Sequence, residues 1–158
     1  MFHRILVATD GSEHAGRALR EAIDLAKCNN AKLTVMTVAV KPSTLVVGGP
    51  VVPPLDFGAL EEAIETEHRR LLDAAIDEVP QEISVEKLLA HGLPARAILE
   101  ESRRGRHDLI VLGSRGRGDM GAILLGSVSH RVLHDSRVPV LIIHVDGETS
   151  RGGSEAST

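Results

Sequence analysis

The chain has 158 residues, a formal net charge of −4 and an apolar fraction of 42%, which predicts one domain with a buried core. Nucleic acid is not expected as a partner, because phosphate binding needs a concentrated basic face and base stacking needs more aromatic side chains than Phe2 and Phe57. A membrane partner is not expected either, because no apolar segment approaches the length of a signal peptide or a spanning helix, and the single Cys28 fits a reducing, cytoplasmic location.

Five apolar runs predict β-strands, the third of them being the weakest. The runs are mostly continuously apolar instead of alternating, which is typical of a parallel sheet that is covered by helices on both faces. In chain order the predicted strands are Ile5 to Thr9, Leu33 to Val40, Ile83 to Leu89, Leu109 to Leu112 and Val138 to Val145.

Four stretches with helical periodicity separate these runs. They cover about Glu13 to Asn29, Ala59 to Glu78, Pro94 to a cap at Gly105, and Ser127 to Asp135. Because crossovers between parallel strands are right-handed, the order βαβαβαβαβ predicts an α/β fold, a doubly wound five-stranded parallel sheet with helices on both faces.

Two segments fall outside this pattern. The stretch from Lys41 to Gly58 is rich in Pro, Gly and Val and is long for a plain connection, so we expect it to be a flap or a contact surface. The stretch from Gly147 to Thr158 is rich in Gly, Ser and Glu. We therefore expect one folded domain over residues 1–146 and a disordered tail over residues 147–158.

A glycine-rich loop follows the fourth predicted strand. Ligands of open α/β sheets bind beyond the carboxyl ends of the strands, and Gly113 and Gly116 stand at such an end. Gly126 and Ser127 then stand at a helix N-terminus, where free amides and the helix dipole favour phosphate. The loop therefore predicts a polyphosphate site. The alternative is a flexible turn in which Ser127 only caps the last helix.

The spacing Gly113-x2-Gly116-x9-Gly126-Ser127 resembles the nucleotide-binding motif of the ATP-binding branch of the universal stress protein family. The segments Ile5 to Ser12, Gly92-x-Pro94, Asp108 to Gly113 and Val138 to Leu141 resemble the same family, so that the likeness covers about residues 1–146. The resemblance implies an adenine-nucleotide α-hydrolase-like fold and bound ATP or a related adenine nucleotide with Mg²⁺.

The resemblance also implies roles for individual residues. Asp10 would face the ribose or the metal and phosphates, although it is equally suited to cap the following helix. The backbone of Val38 would pair with the adenine edge, and Arg115 either reaches the phosphates or stays solvated. The complete predicted site comprises Thr9, Asp10, Val38, Gly113, Arg115, Gly116, Gly126, Ser127, Val128 and Ser129.

Other polar residues are assigned to ordinary structural roles. His130 and His134 have a spacing that can bind a metal, but no third ligand accompanies them in the sequence, and we interpret them as surface residues. The basic run Arg103-Arg104-Gly105-Arg106 is interpreted as a complement to the dipole at a helix C-terminus. No nucleophile or general base is evident, so no catalytic residue is predicted.

The leading hypothesis is an ATP-binding stress-response or regulatory protein that acts through its nucleotide-bound homodimer or an unknown protein partner. The strand Val138 to Val145 is expected at a sheet edge and is the predicted dimer contact, which the resemblance also implies. Two alternatives remain open: a slow Mg²⁺-dependent ATP hydrolase that uses Asp10, and an interaction module that works without nucleotide.

Overall fold

The computed structural model describes residues 1–40, 57–116 and 125–145. These residues form one five-stranded parallel sheet with the strand order β3-β2-β1-β4-β5, which confirms the predicted doubly wound fold. The strands are β1 (Arg4–Ala8), β2 (Lys32–Ala39), β3 (Val85–His91), β4 (Leu109–Gly113) and β5 (Val140–Ile143).

Four helices cover the two faces of the sheet. The helices are α1 (Glu13–Asn29), α2 (Phe57–Asp77), α3 (Pro94–Arg104) and α4 (Ser127–Asp135). From β1 the chain first adds strands towards one edge through α1 and α2, and it then adds strands towards the other edge through α3 and α4. Since both series of crossovers are right-handed, α1 and α2 lie on one face and α3 and α4 on the other.

Alternating side chains of the central strand supply both halves of the core. Ile5 and Val7 pack with α1 and α2, whereas Leu6 packs with α3 and α4, and all three are completely buried. This arrangement explains why the strand sequence is continuously apolar: a side chain on either face of β1 meets a helix.

The limits of β1, β2 and β4 lie within one residue of the prediction, whereas β3 and β5 differ from it by two residues at each end. Both of these strands start late because local hydrogen bonds compete with the sheet ladder. Ile83 lies in a turn, where its N–H donates to the Pro80 carbonyl at 3.0 Å, and β3 therefore starts at Val85 and continues to His91. At the other edge, the Ser136 hydroxyl donates to the Val138 carbonyl at 2.7 Å and delays β5 until Val140.

The helix predictions agree with the structure more closely. The limits of α1 and α4 are those predicted, whereas α2 starts at Phe57 instead of Ala59. Residues 41–56 of the expected loop and all of the expected tail lie outside the described residues. The domain limits therefore stay a prediction.

A buried histidine joins the C-terminal end of α3 to the sheet. His107 is 5% exposed; its Nε2 lies 2.9 Å from Thr34 Oγ1 and its Nδ1 lies 3.3 Å from the Glu101 carbonyl oxygen. A Cβ at Gly105 would overlap the imidazole ring, so a glycine is required here although its own backbone is right-handed. Burial lowers the pKa of His107 below its ordinary value and favours the neutral ring.

We predict that acid destabilises the protein through His107. The unfolded chain takes up a proton near pH 6.5, whereas the buried ring resists protonation. Stability is therefore complete above that pH and is lost as the pH falls below it towards the lowered folded-state pKa. Urea unfolding at pH 7.5 and pH 5.5 should give a smaller pH dependence for His107→Gln than for the wild type. The exposed His130→Gln variant is the control, and equal pH dependence in all three proteins would contradict the prediction.

Candidate functional site

A cavity of about 350 Å³ opens at the carboxyl ends of the strands, between β1 and β4. This is the point where the direction of strand addition reverses, and it is where open α/β sheets bind ligands. All ten residues of the predicted site line this cavity: Thr9, Asp10, Val38, Gly113, Arg115, Gly116, Gly126, Ser127, Val128 and Ser129.

A tight turn after β1 holds Asp10 at the cavity. Asp10 Oδ1 accepts a hydrogen bond from the Ser12 N–H at 3.0 Å, and Gly11 adopts a φ of +77°, which favours glycine. The N-cap of α1 is Ser12, whose hydroxyl oxygen accepts from the Ala15 N–H at 3.2 Å. The capping alternative for Asp10 is therefore wrong: its carboxylate organises the turn that precedes the helix.

Gly113, the last residue of β4, and Gly116, which follows the strand, have different steric neighbours. A Cβ at Gly113 would lie 2.7 Å from the backbone carbon of His14 and 2.9 Å from the Ala15 nitrogen, both in the first turn of α1. Among the described atoms, a Cβ at Gly116 would meet only the side-chain carboxylate of Asp10, at 2.8 Å from Oδ2. Gly113 thus allows a helix to approach the sheet, whereas Gly116 leaves room beside a side chain of the cavity.

The N-terminus of α4 forms the opposite wall. Its N-cap, Gly126, makes no side-chain capping bond, and the Gly126 N–H donates to the Ser114 carbonyl at 2.7 Å. Helix geometry leaves the next three amides, at residues 127–129, without an acceptor inside the helix. These amides and the positive end of the helix dipole suit an anion.

Ser129 ties this helix to the sheet. Its hydroxyl donates to the Gly113 carbonyl at 2.7 Å, and the side chain is buried. The bond connects the two segments of the glycine motif directly, because Gly113 belongs to the first segment and Ser129 follows the second. Ser129 therefore positions the wall of the cavity, and its hydroxyl proton is committed to the backbone.

Most of the apolar lining of the cavity was not predicted from the sequence. Besides the predicted Val38 and Val128, the apolar lining comprises Ala8, Ala15, Pro94, Ile98 and Leu112. Pro94 and Ile98 carried a usable signal, since a Pro at the first position of the helix after β3 must lie at the same edge of the sheet, and residues four apart share a helix face.

His14 is a further residue whose contacts near the end of β4 were not predicted from the sequence. Its Nδ1 lies 3.0 Å from Ser114 Oγ and accepts a hydrogen bond from the Val145 N–H at 3.3 Å. Ser114 is 1% exposed and His14 is half-buried, and the pair links α1 to the residue after β4 and to the chain after β5.

Metal-binding groups are limited in the part of the chain that the structure describes. Within it, no three His, Cys, Asp or Glu side chains are placed to hold a metal ion together. His134 instead lies next to Asp135, with 2.7 Å between Nδ1 and Oδ1. The same described residues include no helix that is both long and apolar enough to cross a membrane.

The amino-acid sequence matches the model of a known protein family. A model of the universal stress protein family matches residues 1–144. The chain belongs to the universal stress protein family. Among its relatives is the universal stress protein YxiE of Bacillus subtilis (strain 168), which is 35% identical over 147 residues, covering 90% of this chain and 99% of that protein. The resemblance that the glycine motif indicated is thereby confirmed at the level of the family.

Two solved universal stress protein structures that are similar to this chain contain nucleotides. The protein from Archaeoglobus fulgidus in complex with dAMP is 25% identical, with a TM-score of 0.60 over 89% of this chain and 97% of that chain. A universal stress protein in complex with cAMP is 29% identical, with a TM-score of 0.57 over 90% of this chain and 97% of that chain.

The steric difference between the two glycines gives a direct prediction. Gly113→Ala should lower the free energy of unfolding by about 1–3 kcal/mol, because its Cβ meets helix backbone that moves only as a unit. Gly116→Ala should lower the free energy of unfolding by less, because its Cβ meets one side-chain carboxylate instead of helix backbone. Urea unfolding measures both values. Equal stability losses in the two variants would show that the packing of Gly113 against α1 has no special cost.

Proposed function

We propose that the cavity between β1 and β4 binds ATP or a related adenine nucleotide. The observation that carries this proposal is that one concave site at the carboxyl edge of the sheet combines apolar walls with Gly116 and the amides at the start of α4. A volume of about 350 Å³ lies within the range of small-molecule sites. The dAMP and cAMP complexes of the two similar proteins support an adenine nucleotide as the ligand class.

The two ends of the cavity suit the two ends of a nucleotide. Val38 and Ile98 line the apolar part, where the adenine ring would lie with its polar edge towards the backbone of β2. Gly116, Gly126 and Ser127 line the polar part, where the ribose and phosphates would lie. Arg115 is half-buried at the cavity and would add positive charge beside the phosphates.

Asp10 is the residue that we propose for Mg²⁺. Carboxylate oxygens are ligands that Mg²⁺ prefers, and the ion usually takes one or two carboxylates together with phosphate oxygens. Oδ1 of Asp10 already accepts the Ser12 N–H, and the hydrogen bond holds the carboxylate in place at the cavity. The residues present therefore fit a metal that arrives with its nucleotide.

The proposed output is regulation by the bound state, not turnover. Of the described residues that line the cavity, Asp10 is the only acid, and no histidine is among them. A general base must lie within hydrogen-bond reach of the proton that it removes. Slow hydrolysis, with Asp10 and Mg²⁺ orienting the phosphates, is the enzymatic alternative, and steady phosphate release that disappears in Asp10→Asn would favour it.

The binding proposal is tested by calorimetric titration of nucleotide-free protein with ATP, AMP and cyclic AMP. Gly116→Val should weaken the binding at least about tenfold, because its side chain lies at the cavity lining beside Asp10. Removal of Mg²⁺ with EDTA should weaken ATP binding by the wild type and have a smaller effect on Asp10→Asn.

The matched control for Gly116→Val is Gly16→Val. Gly16 lies in α1, and a Cβ there meets no described atom within 4 Å. This variant should bind nucleotide as the wild type does. Failure of the folded wild type to bind any of the three nucleotides would contradict the proposed function and leave the nucleotide-independent interaction module.

We further propose that β5 forms the contact of a homodimer. It is an edge strand, paired only with β4 among the described strands. The Pro139 carbonyl accepts from the Ile110 N–H, and the Ile143 carbonyl accepts from the Ser114 N–H. Because backbone groups alternate in direction along a strand, those of Val140 and Ile142 point away from β4. Such unpaired groups are a template for another strand.

Sedimentation velocity should therefore show a dimer for the wild type and a monomer for Ile142→Pro. The proline removes an outward N–H donor that the β4 ladder does not use. Ile142→Ala is the control, because it loses similar packing but keeps the donor, and it should remain dimeric. A wild type that is monomeric at high concentration would overturn the proposed dimer.

A further inference from the structure

A groove runs between α3 and α4 on one face of the molecule. It consists of two adjoining cavities of about 700 and 280 Å³, which share Leu99, Arg103 and Asp135 in their linings. We call this feature the α3–α4 groove. The larger cavity is also lined by Pro94 and Val128, and both residues line the candidate nucleotide cavity as well.

The α3–α4 groove is strongly basic, although the chain as a whole has a net charge of −4. Five arginines line it, against two carboxylates. Two of the arginines are neutralised, since Arg96 pairs with Glu100 at 2.7 Å and Arg131 pairs with Asp135 at 3.3 Å. The other three are Arg103, Arg106 and Arg137, and no described carboxylate lies within 4.0 Å of their side-chain nitrogens.

The structure divides the basic run at the end of α3 into two parts with different partners. Arg104 forms an ion pair with Glu101 on its own helix, at 2.9 Å from Nε. Arg103 instead lines both cavities of the groove. Arg106, which has a φ of +52°, lines the smaller cavity. Arg137, which follows α4, lies in the same cavity. Three arginines from two separate segments therefore line the same cavity. The predicted role of the basic run, to complement the dipole of α3, does not explain why Arg137 joins them.

The same groove has an apolar lining. Leu93, Leu99 and Val128 line the larger cavity, and Val138 lines the smaller one. Leu93 is 56% exposed, a large fraction for a leucine at the mouth of a cavity. Apolar surface of this kind, bordered by polar residues, is typical of interaction sites. A small inorganic anion would neutralise the arginines but would leave this surface in contact with water.

We propose that the α3–α4 groove binds an acidic amphipathic segment of a partner protein. Its apolar side chains would cover Leu93 and Leu99, as in other complexes where an amphipathic segment lies in a groove between helices. Its carboxylates would pair with Arg103, Arg106 and Arg137, for which arginine is well suited because its planar fork binds carboxylate at two points. A nucleic acid fits less well, because no Phe, Tyr or Trp is among the described lining to stack on its bases, and its phosphates would leave the apolar lining uncovered.

The proposal is tested with a phage-displayed library of randomised peptides, about 12 residues long, selected against the full chain without nucleotide. The selected peptides should be enriched in Asp and Glu together with Leu or Ile. Their affinity, measured in solution by fluorescence anisotropy, should fall as the salt concentration rises. The double variant Arg103→Glu/Arg137→Glu should bind them at least about tenfold more weakly.

The matched control is Arg20→Glu/Arg70→Glu. It makes the same change in net charge, but its two exposed residues lie on α1 and α2, across the sheet from the groove. The control should bind the selected peptides as the wild type does. Equal losses in both double variants would mean that only the net charge matters, and this would overturn the proposal.

Two further results would also overturn it. Selected peptides without acidic enrichment, or no enrichment at all, would mean that the groove does not recognise this class of partner. A change of oligomeric state in Arg103→Glu/Arg137→Glu alone, without any effect on peptides, would identify a second copy of the chain as the occupant. Because no nucleotide is present, failure of the proposed ATP site would not alter any of these outcomes.

Discussion

The handedness of the crossovers is the constraint on which the rest of this structure depends. Right-handed connections place α1 and α2 on one face of the sheet and α3 and α4 on the other, so that the chain leaves β1 and β4 in opposite directions. The gap between these two departures is the candidate nucleotide cavity. The same rule places α3 and α4 side by side, and the space between them is the basic groove.

Packing contacts at Gly113 hold both walls of the cavity in place. Gly113 lets the first turn of α1 approach β4, and the Ser129 hydroxyl fastens α4 to the Gly113 carbonyl. The walls on both sides of the gap are therefore joined to the same residue. Walls held by such contacts lose less conformational entropy when a ligand binds. The glycine motif thus has a structural role in addition to the proposed phosphate contacts.

The two proposed binding surfaces lie at different places relative to the sheet. The nucleotide cavity lies at the carboxyl ends of the strands, where glycines and helix amides are concentrated. The α3–α4 groove extends along the outside of one helical layer, where the arginines of α3 meet Arg137. Pro94, Ser127 and Val128 line both. For a family member whose proposed output is regulatory, a surface that shares its wall with the nucleotide site is a natural place for a partner to contact.

Local sequence signals by themselves determined the order of strands and helices along the chain, the limits of α1 and α4, and the glycine-rich stretch that follows β4. These features follow from periodicity, helix caps and glycines, which act over a few residues. The other residues of the predicted site, such as Val38, were implied by the resemblance to a known family. Tertiary structure alone decided that Ser12 caps α1 while Asp10 holds a turn, and that His14 meets Ser114. It also separated Arg103 from Arg104. Such contacts depend on where a crossover brings two distant segments, and no local pattern in the chain encodes that distance.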